Sequence, residues 1–128
     1  MGYYTKYTFR CFDNREEEID YSIPSINKKL VKALHKINPN YFDADLYLPH
    51  FFYADMKWYN HHEDMIELSK QFPEYVFLLE GDGEDPDDYW RAVYKEGMSD
   101  FMNSSRVFER PETDFGKIVY RYYGDMER

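Results

Sequence analysis

The sequence predicts an α+β protein in which a mostly antiparallel sheet of four to six strands carries two helices on one face, ferredoxin-like in character. Three observations support this class: strict alternation near the start, two amphipathic stripes that each end before a proline, and short apolar runs separated by turn residues in the second half. A chain of 128 residues suits one core. We therefore predict a single α+β domain, 1–128, with 109–128 as a C-terminal extension.

The first third contains one strand and one helix. Residues 3–12 alternate between two faces and are rich in Tyr, Thr and Phe, which favours a strand. Residues 13–20 contain five acids and predict a solvated connection. Over 25–37 the apolar residues form one helical stripe, and Pro39 ends it. The opposite side of this helix is basic and carries Lys28, Lys29, Lys32 and Lys36.

The middle of the chain predicts a strand followed by a second helix. Residues 40–50 have no sustained period and predict an irregular connection. Alternation over 51–58 predicts a second strand. Asn60 followed by Glu63 resembles a capping box, and the apolar stripe behind it predicts a helix over 61–72.

The second half predicts the remaining strands. Residues 75–79 form a short, strongly apolar run, which indicates a central strand. Residues 89–95 alternate and end in the turn residues 95–97, so a hairpin with an outgoing arm over 98–108 is expected. Residues 117–122 predict a last strand, although their apolar spacing also suits a helix.

Composition restricts the function. The formal charge of −9, from 25 acidic and 16 basic residues, repels nucleic-acid backbones and favours a protein partner with a basic surface, so direct nucleic-acid binding is not expected. Cys11 is the single cysteine, which excludes an intrachain disulfide and fits a reducing compartment. The chain shows neither an apolar signal segment nor an apolar run of about 20 residues, so we expect a cytoplasmic protein without a membrane partner.

The segment 80–88 is the most unusual stretch, because it concentrates carboxylates without a cation. Their spacing does not match the calcium loop of an EF-hand, and a solvated loop is the simplest interpretation. Gly81 and Gly83 permit unusual backbone angles there. If the loop binds a partner, its six acids are the candidate residues: Glu80, Asp82, Glu84, Asp85, Asp87 and Asp88.

A second candidate cluster stands at the start of the second helix, where His61 and His62 are adjacent. Neighbouring helical side chains point about 100° apart, so both imidazoles cannot easily face one ion. We therefore expect no metal or other cofactor, and a metal site made of Asp82, Glu84, His61 and His62 is the weaker alternative. Motifs for a nucleophile or a phosphate-binding loop do not occur, so a non-enzymatic protein is favoured.

Several motifs carry a resemblance to a known family. They are MGYYT at 1–5, KWYNHHEDM at 57–65, SKQFP at 69–73, LEGDGE at 79–84 and the hairpin from Trp90 to Gly97. This pattern resembles a family of small, uncharacterised proteins common in phages and prophages. The layout is also similar to the ferredoxin-like domain of plasmid YubB-type proteins.

The resemblance implies a fold and a phage or plasmid setting, and it implies no chemistry. His62 stands where the family pattern has an acid, while 13–53 and 109–128 depart from it. Combined with the acidic surface and the surplus of Tyr, it leads to the hypothesis of an accessory protein that inhibits a host nucleic-acid-handling or defence protein, as anti-CRISPR proteins do. The segments 80–88 and 13–20 would then stand in for phosphates, as in a DNA mimic. The alternative is a small-ligand or divalent-cation binding protein that uses 80–88.

Overall fold

The computed structural model of the protein describes residues 4–85, 88–104 and 113–116. Within these ranges the elements are β1 (Thr5–Phe12), α1 (Pro24–Ile37), α2 (Leu48–Phe51), α3 (His61–Gln71), β2 (Val76–Gly83), β3 (Tyr89–Lys95) and β4 (Met98–Ser104). The strands form one sheet in the order β1-β2-β3-β4, and each neighbouring pair is antiparallel. The predicted α+β class with an antiparallel sheet is therefore confirmed.

The core lies between the sheet and the helices. Alternate residues of β1 and β2, such as Phe9 and Phe77, pack in one buried cluster with Leu30 and Leu34 of α1 and Leu68 of α3. The apolar stripes that predicted the two long helices are thus the surfaces that cover the sheet. A smaller buried cluster occupies the opposite face, where Phe12, Val76, Leu78, Val93, Met102 and Phe115 pack together.

The strand predicted over 51–58 is wrong. The short helix α2 ends at Phe51, and Met56 pairs with Thr5 only as an isolated bridge. The alternation arises because Phe52, Met56 and Trp58 are turned into the core from an irregular connection. Pro49 favoured the helix, because proline fits the first helical turn.

The start of α3 also differs from its prediction. Asn60 is the N-cap residue, but its side chain makes no capping hydrogen bond. Its φ of −95° and ψ of 24° lie outside the extended region that a side-chain cap requires. Glu63 and Asp64 lie in the first turn, where negative charge is favourable, so the helix begins where predicted for a different reason.

The hairpin of the second half is confirmed. Lys95 pairs with Met98, and the two turn residues Glu96 and Gly97 have φ of 50° and 82°. Positive φ at both positions is the geometry of a tight turn that matches the twist of the strands, and glycine adopts it without strain.

The C-terminal extension predicted at 109–128 lies mostly outside the described residues, as does the strand predicted at 117–122. The described part, residues 113–116, packs on the outer face of the sheet, where Phe115 is buried. The main-chain N–H of Thr113 donates to Asp100 of β4 at 3.1 Å. Among the described helices, none is long and apolar enough to cross a membrane.

Candidate functional site

The acidic segment 80–88 is part strand and part turn. β2 continues to Gly83, so Glu80 and Asp82 lie in the sheet and not in a loop as predicted. The main-chain N–H of Gly83 donates to the carbonyl of Asp88 at 2.8 Å, and that of Asp88 donates to Asp85 at 3.0 Å. These bonds close a turn between β2 and β3.

Glu80 is a buried residue of the sheet, with 8% of its surface exposed. Its carboxylate accepts a hydrogen bond from the Tyr89 hydroxyl at 2.5 Å and lies 3.7 Å from Nε of Arg91. Burial and this hydrogen bond raise the pKa of Tyr89, so the phenol stays protonated and donates. Glu80 therefore holds β2 and β3 together, and its buried carboxylate is not available to bind another protein.

The remaining described acids of the segment lie at one end of the sheet. Asp82, Glu84 and Asp85 are exposed, and Asp88 is half-buried. Glu84 accepts a hydrogen bond from the main-chain N–H of Tyr4 at 3.0 Å, which ties the turn to the residue before β1. We call Asp82, Glu84, Asp85 and Asp88 the acidic turn. Asp87, the sixth predicted residue, lies outside the described residues.

The second acidic segment, 13–20, lies at the opposite end of β1. Thr5 pairs with Gly83 while Phe12 pairs with Val76, so the two segments are separated by the whole length of the strand. Seven steps of about 3.3 Å make this roughly 23 Å. The two predicted phosphate-like segments therefore do not merge into one patch.

An aromatic pocket of about 350 Å³ opens beside the acidic turn. The pocket is lined by residues from β1, β3, α3 and the connection before α3. They converge there because β1 and β3 flank the end of β2. We call it the aromatic pocket. Its lining consists of Thr5, Tyr7, Lys57, Trp58, Tyr59, His61, Asp88 and Trp90.

The two tryptophans of the pocket are held rigidly. Trp58 donates its indole N–H to the buried Asp64 at 2.8 Å, and Asn38 donates to the same carboxylate at 2.9 Å. The indole of Trp90 crosses Gly81 so closely that a Cβ there would lie 2.2 Å from it. A side chain at position 81 would displace Trp90, so this position requires glycine for space.

His61 contributes a polar ring to the pocket wall. Its ring stacks on Trp90 at 5.0 Å and contacts Trp58 edge-on at 6.2 Å. Its Nδ1 is buried and has no hydrogen-bond partner among the described residues. Burial lowers the pKa of His61, and neighbouring His62 lowers it further, so the ring is neutral at pH 7. A neutral imidazole presents one donor and one acceptor to a ligand.

The structure does not bring the two histidines together. Nδ1 of His62 lies 3.1 Å from the Tyr94 hydroxyl, whereas the ring of His61 stacks on Trp90, four residues earlier on β3. Asp82 lies at the end of β2, and Glu84 lies in the turn that follows. Over 4–85, 88–104 and 113–116, no group of three or more His, Cys, Asp or Glu residues is arranged to hold a metal ion.

The sequence did not predict the pocket. Gly81 and Trp90 are cross-strand partners, a relation that depends on the register of β2 and β3. Asp64 lies in the first turn of α3, where an acid is favourable in any case, yet it is buried and positions Trp58.

Comparisons of the chain with protein-family models, curated proteins and solved structures give no match. The resemblance to phage proteins therefore stays a prediction.

Proposed function

We propose that this protein is a non-enzymatic interaction module that binds a basic surface of another protein through the acidic turn. In the phage or mobile-element setting that the resemblance implies, the partner is a host nucleic-acid-handling or defence protein that the module inhibits, in the manner of an anti-CRISPR protein. Acting in the host cell requires a cytoplasmic protein.

The observation that supports this function is the placement of the carboxylates of the acidic turn. Asp82, Glu84 and Asp85 are exposed at one end of the sheet, on a backbone fixed by hydrogen bonds. A fixed array attracts a cationic partner without the entropy cost of ordering a loop. Tyr59 stands nearby in the pocket lining with 71% of its surface exposed, and tyrosine contributes large contact area to interfaces.

The experiment is an affinity purification from the host, with bound proteins identified by mass spectrometry. The test variant carries Asp82→Asn, Glu84→Gln, Asp85→Asn and Asp88→Asn. We expect it to lose partner capture by roughly tenfold or more near 50 mM salt and by less at high salt, where screening already weakens the contact.

The matched control removes the same charge elsewhere, through Asp43→Asn, Asp45→Asn, Asp55→Asn and Glu74→Gln, all at exposed positions. This control should capture the partner nearly as well as the wild type. Equal loss in both variants would show that only net charge matters, and equal retention in both would refute the acidic turn as the binding site.

The aromatic pocket favours a second candidate function, small-ligand binding. Its volume of about 350 Å³ lies within the roughly 300–1,000 Å³ typical of ligand pockets, and the unpartnered Nδ1 of His61 supplies a polar contact. Flat aromatic or cationic molecules fit such walls. Native mass spectrometry of the purified protein, with and without calcium, manganese or zinc, tests both this function and the divalent-cation alternative. A bound mass that His61→Phe abolishes supports the pocket, whereas a spectrum of bare protein with an unchanged melting temperature refutes it.

A further inference from the structure

Among the described residues, the outer edge of β1 is paired only near its ends. At one end Thr5 and Met56 exchange two main-chain hydrogen bonds, of 2.9 and 3.0 Å. At the other end Ile19 donates to the carbonyl of Cys11 at 2.7 Å, and Asp13 donates to Glu17 at 2.9 Å. Both contacts come from connections and not from a strand, so the middle of the edge has no neighbouring strand among the described residues.

The direction of the main-chain groups follows from these contacts. In an antiparallel sheet the N–H and C=O of successive residues point alternately to the two sides of a strand. Because the groups of Thr5 point to the outer edge, those of Tyr7 and Phe9 point there too. Their two N–H and two C=O groups have no main-chain partner within the part of the chain that the structure describes.

A groove runs along this open stretch. A cavity of about 190 Å³ is lined by four consecutive β1 residues, Lys6 to Phe9. Successive side chains of a strand point to opposite faces, so a cavity that touches four in a row lies against the edge of the strand. Its walls come from α2 and the turn after it on one side and from Tyr21 on the other: Pro49, Phe52, Tyr53 and Tyr21.

The groove continues into a second cavity of about 420 Å³, which shares Tyr21 and Pro49 with the first. Its far part is lined by Glu18 and Asp20, both exposed carboxylates. Glu18 is bonded to Arg10 at 2.8 Å, whereas Asp20 holds the turn at Ser22 through its hydrogen bonds. Those bonds lower the pKa of Asp20, so it carries a negative charge at the end of the groove.

We propose that the groove binds a short extended peptide segment of another protein, which adds as a strand to the edge of β1 and places a basic side chain beside Asp20. The segment is short because Met56 and Ile19 occupy the edge on either side: Lys6 to Arg10 spans four steps, or about 13 Å. Main-chain hydrogen bonds to Tyr7 and Phe9 provide the affinity that is general to β-strand addition. Tyr53, with 83% of its surface exposed at the groove wall, adds contact area.

This inference rests on the proposed role as a protein-binding module, but it uses a surface apart from the acidic turn. The groove lies along the edge of β1, whereas the acidic turn lies between β2 and β3. A strand added to β1 would bring the partner close to Tyr4, whose main-chain N–H bonds Glu84. One basic partner can therefore contact both surfaces.

The experiment uses the whole chain and the peptide acetyl-Val-Thr-Val-Thr-Val-Arg-amide, with amide hydrogen exchange followed by NMR. Without peptide, the Tyr7 and Phe9 amides should exchange quickly although both residues are buried, because their N–H groups lack main-chain partners among the described residues. With millimolar peptide, both amides should exchange at least tenfold more slowly. Lys6 and Thr8, whose groups face β2, should change little.

Two N-methylated peptides provide the matched control. In one peptide the main-chain nitrogens of the odd-numbered residues are methylated, which blocks one edge of the strand. In the other peptide the even-numbered residues are methylated, which blocks the opposite edge. Strand addition predicts that one series loses binding and the other keeps it. Equal binding of both series, or unchanged exchange at Tyr7 and Phe9 with millimolar peptide, overturns the proposal. Protection that rises with protein concentration in the absence of peptide would assign the edge to a second copy of the chain and also overturn it.

Charge reversal tests the end of the groove. Asp20→Lys should weaken binding of the Arg peptide by roughly tenfold and strengthen binding of a peptide that ends in Glu. Asp43→Lys, the same change at an exposed site elsewhere, should alter neither affinity. The acidic-turn variant should bind the Arg peptide like the wild type. If only the acidic-turn variant loses capture of the host partner, the acidic turn is supported as the binding site. Peptide binding decides the groove independently, so the two proposals fail separately.

Discussion

The two acidic segments of this protein, 13–20 and 80–88, look alike in composition but serve the fold differently. They lie at opposite ends of the β1–β2 pair. In the first segment the carboxylates stabilise their own connection: Asp13 accepts hydrogen bonds from the main-chain N–H groups of Arg15 and Glu17, and Asp20 accepts them from Ser22. In the second segment Glu80 is buried in the sheet, whereas Asp82, Glu84 and Asp85 are exposed at its end.

The difference shows that a run of acids is not a functional unit. Each carboxylate acquires its role from the strand end or turn on which it stands. Glu80 and Asp82 are two residues apart on the same face of β2, yet one contacts Arg91 in a buried position and the other is exposed. The role of each acid can therefore be tested by substituting it singly and measuring stability apart from binding.

The largest effect on stability is expected at Glu80. Glu80→Gln should lower the free energy of unfolding by about 3 kcal/mol, because it breaks a buried ion pair with Arg91. Asp82→Asn, at an exposed position of the same strand, should change the free energy of unfolding by less than about 0.5 kcal/mol. Urea unfolding followed by circular dichroism measures both. Similar losses for the two variants would contradict the division of the segment into buried and exposed acids.

A smaller effect is expected at Asp13. Asp13→Ala removes the acceptor for two main-chain N–H groups, at 2.8 and 3.1 Å, in a turn where Glu16 has a positive φ of 66°. The loss should be about 1 kcal/mol. Glu17→Gln keeps the turn and removes one exposed charge of the same segment, so it should be nearly neutral. If Glu17→Gln were the more damaging change, the carboxylate of Asp13 would not be what holds the turn.

The smallest effect concerns pH and the end of the sheet that carries the aromatic pocket. Burial, together with His62, keeps the pKa of His61 below its ordinary 6.5, while Glu63 and Asp64 oppose that shift. The unfolded chain then binds more protons than the folded one below about pH 6.5, so the free energy of unfolding falls as the pH drops through that value. His61→Phe should reduce this fall, measured by thermal melting between pH 7.5 and 5. A wild type and a His61→Phe variant with identical pH profiles would refute a neutral, buried His61.

Much of the fold followed from periodicity. Alternation located β1 and β3, and the apolar stripes located α1 and α3, because burial on one face imposes a period on the residues themselves. The same rule failed over 51–58, where an irregular connection buries Phe52, Met56 and Trp58 by turning them inward one at a time. Alternation reports burial, and it reports a strand only where a neighbouring strand supplies the hydrogen bonds.

The candidate site was less predictable, because it depends on register. Gly81 and Trp90 meet across the β2–β3 pair, and Glu80 meets Arg91 in the next position. A shift by one residue would exchange the buried and exposed partners, and nothing local to the acidic segment encodes that alignment. The acids Asp82, Glu84 and Asp85 could be identified as candidates from composition, whereas the pocket beside them required the fold.

The contacts that Met56 and Ile19 make with the edge of β1 have a consequence for aggregation. An exposed sheet edge can template the growth of a fibril, since each added strand presents a new edge. Here the contacts with Met56 and Ile19 leave room for only a few residues between them. A long strand from another molecule would collide with both contacts. Within the part of the chain that the structure describes, this edge therefore offers no start for fibril growth, although 20% of the residues are aromatic.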